Sequence, residues 1–342
     1  MNQVEILELE KKDEREWDEF VKKSNDSTFY HQIGWKNVVG KTYRHKPIYL
    51  MAKEDDELRG ILPLFLMKSK FFGNKLVSVP FAPYGGICSY DNLTLNLLFD
   101  EAKTIRNELG VEYLEFRNCK KYEVGSTNKS YFTLVLDLNS DSNFLWNSLR
   151  KSMRRYIRKA RDNNFEFTIK SNDLKNFYNL YSKNMRDLGT PAHSYNFFEN
   201  ILREFPENTK IAMIRYEDNF IASLFLLNFK KTVIYGWGAS DKRYLTMYPN
   251  YLLFWESIKH SCENGYIRFD LGRSMINEGT FLFKKGWGAK PKQLYYQYYL
   301  KGNHIVDSSK SNPKRQMFAK LWKKLPVSIA NALGSKLRKN FP

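Results

Sequence analysis

Cysteine is almost missing from this chain of 342 residues, and the little present does not organise. Cys88, Cys119 and Cys262 are odd in number and far apart, which excludes a disulfide framework or a cysteine zinc site and points to free thiols in a reducing compartment. The five histidines, His31, His45, His193, His260 and His304, show no ligand spacing, and none stands beside a Ser or Cys in a nucleophile motif. Hydrolase and metalloenzyme readings lose their support, and no metal is expected. GxGxxG and Walker A loops are absent, so the usual dinucleotide and ATP sites are not indicated. No uncharged run approaches the roughly 18 residues of a membrane span. The N-terminus, MNQVEILELEKKDEREWDEF, is too acidic and broken for a signal peptide. Acids are also short, 37 against 55 Lys and Arg, and the resulting +18 attracts nucleic acid, anionic membrane or phosphorylated substrates without choosing among them.

What is present is ample material for burial, 42% hydrophobic and 16% aromatic, over a length that suits about two domains. The chain is also doubled. LLFDEAKTIRNELGVEYLEFR from Leu97 superposes on LLFWESIKHSCENGYIRFDLGR from Leu252 without a gap through the strand, each a helix stopped by glycine and followed by a strand. Upstream, PIYLMAKEDDELRGILPLFL from Pro47 and KIAMIRYEDNFIASLFLLNF from Lys210 both read strand, acidic turn, strand. Each half therefore runs hairpin, further strand, helix, strand, the order of an acetyltransferase-like α/β domain with a mixed sheet, although other α+β folds share it. NSDS at 139–142 reads as a linker.

The second copy carries the richest chemistry. In GYIRFDLGRSMINEGTFLFKKGWGAK, an apolar strand from Tyr266 to Leu271 is expected to deliver Asp270 and Arg273 to its end, with Gly272 allowing a sharp turn, and glycines bracket Phe283, Lys284 and Lys285. The first copy ends instead in Glu115-Phe116-Arg117-Asn118, so Asp270, Arg273 and the two lysines read as peculiar to one half. A plain strand end with a solvated loop fits the same residues.

Two segments hold much of the excess charge. LWNSLRKSMRRYIRKARDN places Trp146, Leu149, Met153, Ile157 and Ala160 on one helical face and seven cations, Arg154 and Arg158 among them, on the others: a solvated face, or a groove for a phosphate-rich ligand. The tail from Lys301 to Pro342 mixes Phe318, Leu321, Trp322, Leu325, Ile329 and Leu333 with lysines, as suits docking on the core or lying on an anionic membrane surface. Pro326 should divide any helix there. YGWGAS from Tyr235 suits a strand edge along a cleft, and SVPFAPYGGI from Ser78 forms a turn presenting Tyr84.

Taken in order, WDEFV, FYHQIGWKNVV, SVPFAPYGGI, LRKSMRRYIRKA, YGWGAS, MYPNYLLFWESI and FDLGRS followed by GTFLFKKGWGAKP resemble the FemAB-like acyltransferases over nearly the whole chain. The subgroup found with polysaccharide and exosortase gene systems is most similar. The resemblance implies an α/β fold of tandem duplicated GNAT-like domains: 1–139 with the returning tail 300–342, then 140–299 carrying the active site. It implies transfer of an acyl group to an amine, with one of Lys284 and Lys285 facing phosphate or the developing oxyanion, Arg273 on phosphate, and Asp270 as orienter or weak base. Trp237, Ser240, Tyr248, Asn250, Arg154, Arg158, Trp35, Tyr84 and Arg117 are candidate substrate-binding residues.

No bound cofactor is implied, and the donor is an aminoacyl-tRNA or an acyl-CoA. A Q/RxxGxG/A pyrophosphate loop is missing, and so are the Asp-Pro that peptidoglycan-branch relatives tend to carry after the first helix-strand unit and the coiled-coil arm of some tRNA-using members. The expected partners are a phosphate-bearing envelope precursor, tRNA, and an anionic membrane surface through the tail. The expected location is the cytoplasm, either free or at the inner face of the membrane. The rival readings are a CoA-dependent acetyltransferase of an amino sugar, and a non-catalytic basic module for nucleic acid or membrane.

Overall fold

The computed structural model describes residues 3–69, 73–300 and 313–341, so Lys301 and Lys310 of the basic tail lie outside the described residues. The chain first forms β1 (Glu5–Glu8), α1 (Glu14–Lys23), α2 (Ile33–Tyr43), β2 (Lys46–Glu54), β3 (Glu57–Met67), β4 (Lys75–Ser78), β5 (Cys88–Ser89), α3 (Asn92–Glu108), β6 (Tyr113–Asn118) and β7 (Ser126–Asn128). It continues through β8 (Tyr131–Asp137), α4 (Ser142–Ser148), α5 (Lys151–Arg161), β9 (Glu166–Lys170), α6 (Leu174–Leu188), α7 (Tyr195–Glu204), β10 (Thr209–Tyr216), β11 (Asn219–Phe229) and β12 (Thr232–Ser240). Then come α8 (Pro249–Glu263), β13 (Arg268–Met275), α9 (Gly279–Gly286), β14 (Lys290–Gln293), β15 (Tyr295–Leu300), α10 (Pro313–Trp322) and α11 (Val327–Arg338).

One sheet has the order β1-β2-β3-β4-β6-β15-β7, with β5 on β3, and the other β9-β10-β11-β12-β13-β8-β14. Position by position they repeat. An antiparallel meander, β1 to β4 or β9 to β12, is followed by a helix, α3 or α8, that returns the chain to a parallel neighbour, β6 or β13. The doubling read from the sequence is thus a doubled architecture. The described residues fall into two compact units, 3–132 with 293–300 and 339–341, and 133–292 with 313–338.

In the first unit both faces of the sheet are covered, which is why β3 is apolar almost throughout. Ile48, Leu50 and Ala52 alternate along β2, Leu62, Leu64 and Leu66 along β3, and these pack against Leu95, Leu98 and Ala102 of α3, spaced one turn apart. On the opposite face Tyr49 meets Trp17 at 4.9 Å and Phe65 at 5.5 Å between ring centroids.

The second unit is built likewise. α6 and α7 bury Phe177, Phe197 and Phe198 against Phe225 of β11 and Trp237 of β12, while α8 lies on the other face, with Phe254 5.3 Å from Tyr235. The domain limits differ from expectation. NSDS lies inside the second unit, where Asp141 caps α4, and the tail does not rejoin the first unit until 339. Instead α10 and α11 pack on α6: Gly189, left-handed at φ +80°, admits Ala319 so closely that a Cβ would stand 2.8 Å from it. Arg186 donates to the Leu325 carbonyl at 3.0 Å, and Arg338 Nε to His193 Nε2 at 3.2 Å. Pro326 separates α10 from α11. No helix among the described residues is long and apolar enough to cross a membrane.

At the end of β6 the first unit buries an ion pair, Arg117 Nε to Glu115 Oε1 at 2.8 Å, with both side chains at most 5% exposed. Arg117 also donates to the Ala82 carbonyl, and its backbone amide to Ser78 Oγ. Desolvation opposes burying two charges, so the pair holds because each satisfies the other, and removing one partner alone costs about 3–5 kcal/mol. Glu115→Leu is expected to lower the unfolding free energy by that amount in a urea titration, and Glu115→Leu with Arg117→Met to recover most of it. Equal losses in the single and double variants would refute this role.

Candidate active site

The second sheet is interrupted where β12 and β13 part. Their parallel ladder pairs Thr232, Val233 and Ile234 with Arg268, Phe269 and Asp270, yet β12 runs on to Ser240 and β13 to Met275. Two local features make the break. On β12, Phe225 faces Trp237 and Leu226 faces Tyr235, so Gly236 is the extra residue of a bulge. The bulge puts neighbouring rings on opposite faces: Trp237 joins the α6–α7 cluster and Tyr235 turns to α8. On β13, Gly272 is left-handed at φ +76°, and a Cβ there would stand 2.9 Å from the Tyr235 carbonyl. Asp270 fixes that turn, its Oδ1 accepting from the Gly272 amide at 2.8 Å and from Thr133 Oγ1 at 2.5 Å.

Lys284 enters from α9. The helix buries Phe281 and Lys284, one turn apart, and turns Lys285 to solvent. Lys284 Nζ donates to the carbonyls of Gly272 and Arg273, both at 3.0 Å, and lies 5.6 Å from the Tyr235 ring centroid. Only 7% of Lys284 is exposed. Burial therefore brings its amine down from 10.5 to about 8, against the pull of the Asp270 carboxylate and with the push of Arg273. An ammonium has three donors, and two of Lys284's go to main-chain carbonyls. Nearby, burial pushes the Tyr235 hydroxyl up to about 12. Ser274 Oγ and Trp287 Nε1 are buried and have no hydrogen-bond partner among the described residues.

Aromatic rings connect this site to the basic helix. Phe283 packs on Phe254 and Tyr251, and Tyr251 on Tyr156, which meets Tyr248 at 4.8 Å. The basic segment is not one helix, because Leu149 and Arg150 are extended between α4 and α5. α5 buries Met153, Ile157 and Ala160 and exposes most of its cations. Arg161 pairs with Glu256 at 3.0 Å, while Arg150, Lys151, Arg154, Arg155, Arg158 and Lys159 have no ion-pair partner among the described residues. Arg155 sits over Tyr156, Lys159 over Tyr248, and Arg158 over Trp146.

Of the residues expected at the site, Asp270, the Arg273 carbonyl and Lys284 are brought together, and Tyr248, Arg154 and Arg158 share the surface around α5. Ser240 and Asn250 bond to each other, Oγ to Oδ1 at 2.5 Å. The remaining candidates have other surroundings. Trp237 is packed in the ring cluster, Trp35 is fully buried with Tyr30 4.9 Å away, Tyr84 is buried beside Tyr30, and Arg117 is held by Glu115. Lys285 and the Arg273 side chain are exposed, and Asp270 lies within β13 rather than at its end. Nor is Asp270 peculiar to one half, since the superposition of the copies sets Glu115 on it and Arg117 on Gly272. Tyr235, Phe254, Thr133 and Ser274 were not singled out as site residues. Tyr235 and Phe254 lie in segments the sequence does mark, whereas nothing in the sequence links Thr133 to Asp270. Among the described residues no cluster of His, Cys, Asp and Glu is arranged to hold a metal.

The profile of the GNAT acetyltransferase domain family matches residues 147–285, the stretch from the end of α4 to Lys285. A crystal structure of FemX superposes with a TM-score of 0.67 at 16% identity, covering 87% of this chain and 97% of that one. L-PGS from Bacillus licheniformis gives 0.56 at 11% identity, covering 91% and 97%. A tandem GNAT protein from the clavulanic acid biosynthesis pathway gives 0.51 at 8% identity, covering 89% and 100%. No curated protein matches the sequence. The chain has the tandem GNAT fold shared with these structures, and its second unit carries the stretch that matches the GNAT acetyltransferase domain profile.

Gly272→Ala tests the break directly, because the new Cβ meets main chain that cannot swing aside. It is expected to destabilise by about 1–3 kcal/mol in a urea titration and, by shifting the Lys284 carbonyl partners, to slow acyl transfer about a hundredfold. Wild-type stability and rate would refute the role given to this turn.

Proposed function

We propose that the protein transfers an acyl or aminoacyl group from an activated ester to the amine of an envelope precursor, at the break between β12 and β13. The observation that carries this is Lys284, a buried lysine anchored by two carbonyls, with Asp270 setting the turn that supplies one of them. In the reaction the acceptor nitrogen forms the new bond to the carbonyl carbon, whose oxygen becomes an oxyanion. The amine proton leaves to water or substrate, since Asp270 is already engaged by Thr133 and Gly272. The ester oxygen then departs and takes up a proton. The remaining donor of the Lys284 ammonium is suited to the oxyanion, and one such donor contributes about 3–4 kcal/mol to the transition state.

The unpaired cations of α5 and the tyrosines beside them support a polyanionic donor, an aminoacyl-tRNA, since phosphates meet arginines and unstacked bases meet rings. The likeness to L-PGS and FemX supports an envelope component as acceptor. A CoA thioester is the second reading, favoured by the acetyltransferase profile over 147–285. Mass spectrometry of a nucleotide-linked peptide amine, incubated with the protein and either aminoacyl-tRNA or acetyl-CoA, separates them. Product from the tRNA supports the first reading, product from CoA alone the second, and no product from either overturns both.

The pH dependence follows from the amine at about 8. Lys284 is charged below that value and neutral above it, so kcat/KM should rise with pH while the acceptor amine deprotonates and stop rising near 8, where the loss of charged Lys284 offsets the gain in neutral acceptor, before falling at higher pH. Lys284→Arg should move the alkaline limb upward, and Lys284→Met should cost about 100- to 1000-fold, whereas the exposed Lys285→Met should cost little. A rate that keeps climbing well above the Lys284 midpoint would mean that the neutral amine is the active form.

A further inference from the structure

The tail carries exposed apolar side chains that the proposed acyl transfer does not use. α10 and α11 each present one face to α6: Trp322 and Ala330 are buried, Ala319 meets Gly189, and Gly334 approaches Ala192. Those contacts fix what faces outward. On α10 the outward residues are Met317 and Leu321, at 62% and 61% exposed, and Phe318, which stacks on Trp322 at 5.2 Å. On α11 they are Ile329 and Leu333, one turn apart. Leu188, beside the Gly189 contact, is exposed as well. Single exposed apolar side chains need no explanation, but this many on one short helical pair do.

Charge identifies what covers them. Residues 313–341 carry eight Lys and Arg and no Asp or Glu, and Lys320, Lys323, Lys324 and Lys336 are exposed among the apolar side chains. The acid at the end of α6, Asp187, is paired with Arg186. We propose that the outward faces of α10 and α11 dock on an anionic phospholipid bilayer, lying in its interface. Helices of 10 and 12 residues are too short to span a bilayer but long enough, about 15–18 Å, to lie along its surface. Lysine stems lie along apolar surface while their ammonium groups reach the lipid phosphates. A nucleic acid would leave Met317, Leu321, Ile329 and Leu333 without partners, and a protein groove would have no need of so uniform a charge.

Co-sedimentation of the full chain with vesicles tests this at about 0.15 M salt, where free surface charge is screened beyond roughly 8 Å. Vesicles of phosphatidylglycerol with phosphatidylcholine should bind the protein, and vesicles of phosphatidylcholine alone should bind it much more weakly. Met317→Glu with Leu321→Glu, and separately Lys323→Glu with Lys324→Glu, should each weaken binding by about tenfold or more, with the melting temperature unchanged. Leu93→Glu, at an exposed leucine on α3 of the other unit, should leave binding unchanged. Absence of binding by the wild type, equal binding to both vesicle types, or binding indifferent to both tail variants would overturn the proposal. So would a concentration-dependent dimer lost in Met317→Glu with Leu321→Glu without any vesicle binding, which would make a second copy the occupant.

Discussion

The second unit depends on a parallel ladder that stops. A sheet left to itself pairs every neighbouring strand along its length, because each unmade main-chain hydrogen bond away from water carries a penalty. Here β12 and β13 stop pairing after Ile234 and Asp270, and the freed groups must find other partners. Gly272 turns left-handed against the Tyr235 carbonyl, Asp270 takes its amide, and Lys284 takes its carbonyl together with that of Arg273. The residues that repair the broken ladder are therefore the residues with reactive groups. That coincidence accounts for a lysine buried beside an aromatic ring and brought down to about 8.

The first unit shows the same junction put to another use. β4 and β6 also pair in parallel for three residues, Lys75 to Val77 with Tyr113 to Glu115. Glu115 occupies the place of Asp270, but the residue two places on is Arg117 instead of glycine, and the carboxylate takes its guanidinium. Ser78 Oγ and the Ala82 carbonyl take the rest of Arg117, so the gap is filled from within. One duplicated junction thus has two outcomes, decided by whether the second residue after the acid has a side chain.

Much of this was legible in the sequence. The two hairpins, the two helix-strand units and the special weight of 265–290 follow from periodicity and self-similarity, because those patterns record which faces are buried. The bulge at Gly236 was not legible, since YGWGAS reads as plain alternation until its register against β11 is known. Nor was the choice between Lys284 and Lys285, which differ only in the direction a helix gives them. Trp35, Tyr84 and Trp237 look like cleft residues in a list of aromatics but are claimed by other rings. The unit on which the tail packs is not legible either, because its docking depends on Gly189 and Ala319 meeting, a contact between small residues that no pattern announces.

The most direct test of the account is the titration of Lys284 itself. In carbon-13 NMR of the lysine Cε groups of the full chain, one resonance should shift with a midpoint near 8 and be missing from Lys284→Met. If no resonance removed by Lys284→Met has a midpoint near 8, Lys284 is not held in the broken ladder as described, and the site built on it is wrong.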